Sequence, residues 1–119
     1  MIKGSCHCGA VRFEFPGSPE WLTECNCSLC RRLGARWAYA DEADVTLHMA
    51  SGATESYIQG DKTLATHRCR TCGCVTHWEA LDKSESSRIG VNMRLADPAD
   101  VAGIRVRHLD GADSWQYLD

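Results

Sequence analysis

Three cysteines in six residues, Cys25-Asn26-Cys27-Ser28-Leu29-Cys30, constrain this chain more than any other stretch does. Eight of the 119 residues are cysteine, and this triplet lies between Cys6-His7-Cys8-Gly9 and Cys69-Arg70-Thr71-Cys72-Gly73-Cys74. Cysteines one or two residues apart rarely reach the geometry of a relaxed disulfide. They converge readily on a metal ion, because thiolate is the soft ligand zinc favours and C-x2-C is a recurrent zinc half-site. The two outer pairs supply four ligands, a closed tetrahedral set. The triplet supplies three and leaves one position for water or substrate. Each outer pair ends on glycine, which tolerates the positive φ that a metal knuckle needs when it turns backbone N–H groups toward sulfur. The outer pairs lie about sixty residues apart. A shared ion would pin the N-terminal hairpin to the middle of the chain and contribute folding energy.

Length predicts one zinc-binding domain over residues 1–119. No segment approaches the roughly 20 apolar residues that span a bilayer, so no membrane partner is expected. The start, Met-Ile-Lys-Gly-Ser-Cys, carries no apolar run after its lysine. A cytoplasmic protein is therefore expected, in which clustered cysteines hold metal rather than disulfides. A formal charge of −3 is a poor match for nucleic acid, whose backbone is bound by clustered Lys and Arg. The local basic run Arg31-Arg32 with Arg36 follows the triplet directly.

The apolar pattern has the period of strands. Val11, Phe13 and Phe15 alternate with Arg12 and Glu14, and Pro16-Gly17-Ser18-Pro19 turns the chain. Further strands are expected at Trp21–Glu24, Trp37–Ala40, Val45–Met49, Val75–Glu79, Arg88–Met93 and Ile104–His108, with turns at Ser51-Gly52 and Gln59-Gly60-Asp61 around Glu55–Ile58. Ser28 is the expected N-cap of a short helix that ends at Gly34, and Asp97-Pro98 reads as a second helix start. No apolar 3.6-residue period is sustained. The expected class is mainly β, built of short antiparallel strands.

Other partitions of the cysteines remain open at this point. Cys27-x2-Cys30 with Cys69-x2-Cys72 would make an ordinary zinc ribbon. Cys74 reads as a small buried residue or as a fourth ligand for the triplet. His67 and His77 flank the Cys69–Cys74 group and either pack or support a metal. His48 and His108 belong on polar strand faces, His7 points outward, and Trp37, Trp78 and Trp115 are core by default.

The order Gly-Ser-Cys-His-Cys-Gly, then Cys-Asn-Cys-Ser-Leu-Cys-Arg-Arg, then Cys-Arg-Thr-Cys-Gly resembles the glutathione-dependent formaldehyde-activating enzyme family, also called the centromere-protein-V family. The resemblance covers nearly the whole chain. It implies a β-tent (Mss4-like) fold, a structural Zn2+ on Cys6, Cys8, Cys69 and Cys72, and a second, catalytic Zn2+ on Cys25, Cys27 and Cys30. Asn26 stands where the family often has histidine.

The activity so implied joins glutathione or a related thiol to formaldehyde or another small aldehyde, giving S-hydroxymethylglutathione, and runs in reverse as a carbon–sulfur lyase. Arg31 and Arg32 are the expected partners for glutathione's carboxylates, because the guanidinium fork suits bidentate contact. Asp41, Glu42 and His77 are the candidates for a proton donor. The alternative is a zinc-stabilised module that binds protein without turnover, in which Cys74 or a histidine closes the second site. An exchangeable fourth position discriminates between the two. The sequence does not indicate an oligomeric state.

Overall fold

A computed structural model describes residues 1–119. Ten strands run in chain order: β1 (Ile2–Ser5), β2 (Arg12–Phe15), β3 (Trp21–Cys25), β4 (Trp37–Asp41), β5 (Thr46–His48), β6 (Thr54–Tyr57), β7 (Leu64–Cys69), β8 (Val75–Ala80), β9 (Arg88–Asn92) and β10 (Arg105–Leu109). Two four-residue helices interrupt them, α1 (Cys30–Leu33) and α2 (Pro98–Val101). The strands form a three-stranded sheet, β1-β2-β5, and a seven-stranded sheet in the order β10-β3-β4-β9-β8-β7-β6. Pairing is antiparallel except between β10 and β3. The architecture is mainly β, as the alternating pattern predicts, and Mss4-like, as the family resemblance implies. No helix is long and apolar enough to cross a membrane.

The core fills the space between the sheets. Ile2, Phe13 and Phe15 from the small sheet meet Leu22, Ala38, Ile89 and Val91 from the large one. At roughly 1.5–3 kcal/mol for each fully buried large apolar side chain, this layer is the main stabilising term outside the cysteines. Strand β9 is central and buried on both faces. Ile89 and Val91 face the core, while Gly90 lies beneath the Trp78 indole, where a Cβ would collide with the ring. Met93 falls in the 3-10 turn after β9, not in the strand. Buried Asn92 explains the turn. Its Oδ1 accepts from Arg36 N and Arg94 N (3.3 and 3.1 Å), and its Nδ2 donates to Val75 O (2.8 Å).

The expected helix after the triplet is present but capped differently. Its N-cap is Leu29, without a side-chain bond, and Gly34 closes it at φ 67°. Sulfur takes the part assigned to Ser28: Cys30 N–H donates to Cys27 Sγ at 3.2 Å. At α2, Asp97 Oδ1 accepts from Ala99 N (2.9 Å), with Pro98 in the first turn as read from sequence.

Candidate metal centres and the cavity beside one of them

Strands β3 and β7 run the same way, separated by β4, β9 and β8. Their C-terminal ends, Cys25 and Cys69, thus lie at the same end of the sheet. Four strand spacings part them laterally, roughly 19 Å. That separation overturns the ribbon pairing, since Cys27 and Cys30 cannot share an ion with Cys69 and Cys72.

The structure instead gathers Cys6, Cys8, Cys69 and Cys72, with all four sulfurs within 4.8 Å of one another. The Sγ separations are 3.7 Å for Cys6–Cys8 and 3.6 Å for Cys8–Cys69. A tetrahedron with Zn–S bonds of about 2.3 Å has edges of about 3.8 Å, so the sulfurs already hold the spacing zinc requires. Gly9 (φ 85°) and Gly73 (φ 81°) turn the two knuckles. Val11 N–H donates to Cys6 Sγ at 3.3 Å. Cys72 is held down to about 5, first by the Cys74 N–H and then by that of Cys8. The set fits a four-thiolate metal site.

Cys74 packs with Cys6, Val11 and Cys69. It is therefore not a fourth ligand for the triplet, because it stands at the other cysteine group.

Cys25, Cys27 and Cys30 form their own group, again within 4.8 Å, and no fourth thiol, imidazole or carboxylate joins it. Cys27 N–H donates to Cys25 Sγ at 3.4 Å. The Cys25 thiol is lowered to about 6, first by a bond from Cys30 and, against burial, by the N–H groups of Cys27 and Gly111. Trp37 is 2% exposed and its Nε1 makes no aligned hydrogen bond. The Cys30 thiol is raised, first by its bond to Cys25 and then by burial, and the neighbouring Trp37 indole N–H works against that rise. These features fit a metal held by three sulfurs.

The triplet opens on a cavity of about 410 Å³, lined by Glu24, Cys25, Asn26, Cys30, Arg31, Arg94 and His108, with Gly34, Ala35, Leu109 and Leu118. Arg31 reaches it. Arg32 turns back, donating from Nη1 to Ser28 O at 2.7 Å, and does not line the cavity. Glu24 is held by Arg36 (2.7 Å), His108 (3.4 Å) and Arg94 (3.6 Å). The Arg36 hydrogen bond leads in keeping its carboxyl below the ordinary carboxylate value.

A family model described as "Glutathione-dependent formaldehyde-activating enzyme" matches residues 1–106. The chain belongs to that family. A provisionally named glutathione-dependent formaldehyde-activating enzyme of Halomonas elongata is 44% identical over 41 residues, which cover 34% of this chain and 26% of that protein. The chain thus spans about a quarter of that relative's length. A crystal structure of a Rhodobacter sphaeroides protein superposes with a TM-score of 0.71 at 33% identity, covering 88% of this chain and 99% of the other.

Residues 107–119 lie beyond the family match, yet they close one side of the triplet. Asn26 Nδ2 donates to Asp110 Oδ1 (3.0 Å), and Ala112 N–H donates to Asn26 Oδ1 (2.9 Å). Gly111 lies so close to Cys25 Sγ that a Cβ there would collide with it. Asn26, where the family often has histidine, thus clamps the tail. Trp115 is not core as expected. It is 69% exposed, at φ 60°, above this turn. Tyr117 anchors the tail on Thr23 (2.8 Å) and Trp21 (3.2 Å).

Sequence reasoning missed Arg94 and His108, which lie far along the chain and carry no motif. Pairing of His108 with Glu24 and of Leu109 with Cys25 across β10 and β3 brings that stretch to the cavity. The proton-donor candidates lie elsewhere. Asp41 ends β4, four residues beyond Trp37, and its Oδ1 caps Ala43 N. Glu42 pairs with Lys83. His77 is 1% exposed, and burial holds its imidazole down to about 4.

Proposed function

We propose that residues 1–119 act as one domain binding two Zn2+ ions, and that the cavity beside the triplet joins glutathione to formaldehyde or another small aldehyde. Cys6, Cys8, Cys69 and Cys72 hold the structural ion. Cys25, Cys27 and Cys30 hold the second, which when bound supplies an open position where a substrate thiol loses its proton. The observation that carries this reading is a three-sulfur group, with no fourth ligand from the chain, facing a cavity lined by two arginines.

Arg31 and Arg94 bind a carboxylate of the thiol substrate, and the planar guanidinium favours a two-point contact. Leu109, Leu118 and Ala35 give the cavity an apolar wall. Holding both reactants in attack geometry supplies most of the rate gain. The sulfur pair attacks the carbonyl carbon, the C=O π bond breaks toward oxygen, and the proton lost by sulfur ends on that oxygen. The reverse reaction cleaves the same carbon–sulfur bond. Lyase classification and a cytoplasmic setting follow from this reading.

Calorimetric titration of glutathione into zinc-loaded protein tests it. Binding in the parent and its loss in Cys27→Ala, with the fold retained, is the expected result. Parent-like affinity in Cys27→Ala would place the substrate elsewhere.

A further inference from the structure

A third group of potential ligands lies apart from both cysteine sites. His67 on β7 and His77 on β8 are direct cross-strand partners. Their rings stack at 4.5 Å with 6° between planes. Glu79 is two residues further along β8, so its side chain leaves the same face. The two imidazoles and the carboxylate place their ligand atoms within 4.8 Å of one another.

Each ring is held from behind by a threonine hydroxyl. Thr54 Oγ1 contacts His67 Nδ1 at 2.9 Å, and Thr76 Oγ1 contacts His77 Nδ1 at 2.8 Å. The register of β7 and β8 shifts between His67 and Arg68, and bulges of this kind re-aim side chains beside functional sites. Fixing both Nδ1 atoms leaves both Nε2 atoms for a common ligand, the arrangement of metal-binding histidines supported by outer hydrogen bonds.

The bland account is a His67–Glu79 ion pair beside a packed histidine, and one detail counts against it. His67 Nε2 is buried and 2.7 Å from Glu79 Oε2, yet it makes no aligned hydrogen bond. The two atoms are close without being aligned for a hydrogen bond. Lys83 engages the other oxygen, with Nζ 3.2 Å from Oε1, and also pairs with Glu42 at 2.9 Å. Oε2 is left on the histidine side.

We propose that His67, His77 and Glu79 form a binding site for a divalent first-row transition metal, separate from the cysteine sites. Two imidazoles and one carboxylate suit zinc, nickel or copper, with further positions open to water. Metal–nitrogen bonds of about 2.0–2.1 Å require the stacked rings to splay. His67 has room to do so, with 16% of its side chain exposed. The Lys83 ammonium opposes a divalent ion by charge, so the site binds more weakly than the thiolate sites.

The test is a zinc titration of protein whose cysteine sites are already loaded, followed through the ring nitrogens of the histidines by NMR. One further equivalent should bind, shifting the His67 and His77 nitrogens together and leaving those of His7 unchanged. Thr54→Val should weaken this step about 10–100-fold through loss of the outer hydrogen bond. Glu79→Gln should abolish it, and Lys83→Met should tighten it severalfold. In Cys27→Ala the step should persist, since it is independent of the triplet. Ring nitrogens of His67 and His77 that stay unmoved in the parent would overturn the proposal without recourse to any variant. So would a further equivalent that binds equally well in folded Glu79→Gln.

Discussion

The two cysteine groups sit at the same end of one sheet, and they differ in what surrounds the sulfur. Cys6 and Cys69 are 3% and 1% exposed, while Cys8 is exposed and Cys72 half-buried, and their site joins the N-terminal hairpin to the β7–β8 turn. The triplet residues are half-buried, come from a single knuckle, and face a cavity. One group crosslinks distant chain segments and the other merely decorates the end of β3. Under the proposed function, a metal held by the first would contribute to folding, and one held by the second would be open to chemistry.

The sharpest way to break that contrast is to remove one sulfur from each group. Cys72→Ala should leave the chain largely unfolded or insoluble, because structural zinc carries about 10–16 kcal/mol of apparent binding energy in small domains. Cys27→Ala should melt near the parent. Thermal unfolding followed by circular dichroism compares them, and equal melting points would erase the distinction.

Chelation should separate the sites next. Under mild chelator the three-sulfur site should empty first, with the strand signal unchanged, and the four-sulfur site should empty only as the fold is lost. Simultaneous loss of both ions and the fold would mean that they form one unit. A smaller effect is expected from Gly111→Ala. Its Cβ would strike Cys25 Sγ, so the turn must move away from the triplet. Zinc at the triplet should weaken by at least about tenfold, equivalent to ~1.4 kcal/mol, with little change in global stability. Metal competition against a chromogenic chelator reads this directly.

What the sequence disclosed follows from the range of each signal. Knuckle spacing is local, so both cysteine groups were legible, as were strands with strict alternation such as β2. Strand β7 was missed because Ala65-Thr66-His67-Arg68 has no apolar alternation. Its residues pair through the backbone with β6 and β8. Helix α1 was read correctly, but its cap was not, since a thiol sulfur replaced the expected hydroxyl. Arg94, His108 and Gly111 escaped because only the β10–β3 pairing and the Asn92 turn carry them to the triplet. Trp115 was placed in the core on residue type alone, whereas its position follows from the turn at Asp110–Ser114, where Ser114 Oγ donates to Asp110 Oδ2 at 2.9 Å.

The basic residues allow a finer comparison within the open site. Arg31 lines the cavity, while Arg32 is tied to Ser28 O. Arg31→Ala should weaken glutathione binding by about 0.2–1 kcal/mol if the contact behaves as an exposed ion pair. Arg32→Ala should leave it unchanged, and zinc content should stay constant in both. Equal losses in calorimetry would show that only local charge matters and that the cavity does not orient the substrate.

The smallest expected effect concerns how the tail is held over the triplet. His108 Nδ1 lies 2.6 Å from Asp119 Oδ2, and His108 N–H donates to Asp119 Oδ1 at 2.8 Å. The Asp119 hydrogen bond leads in raising His108 above its ordinary value of 6.5. Stabilisation from the charged imidazole is therefore fully present below 6.5 and is lost as pH rises through the raised value. Asp119 is lowered, first by the His108 N–H. Its contribution is present above the ordinary value of 3.8 and is lost only as pH falls through the lowered one. Between these limits the pair is complete, and raising the pH above 6.5 loosens it from the histidine side. Both groups are exposed, so the global melting point should scarcely respond. The local effect should appear in Trp115, which the same tail carries, as a fluorescence change on the alkaline side that is absent in Asp119→Asn. An identical pH profile in that variant would separate the tail's hold on the triplet from this pair. It would leave Asn26 and Tyr117 as the contacts that keep the open site shaped.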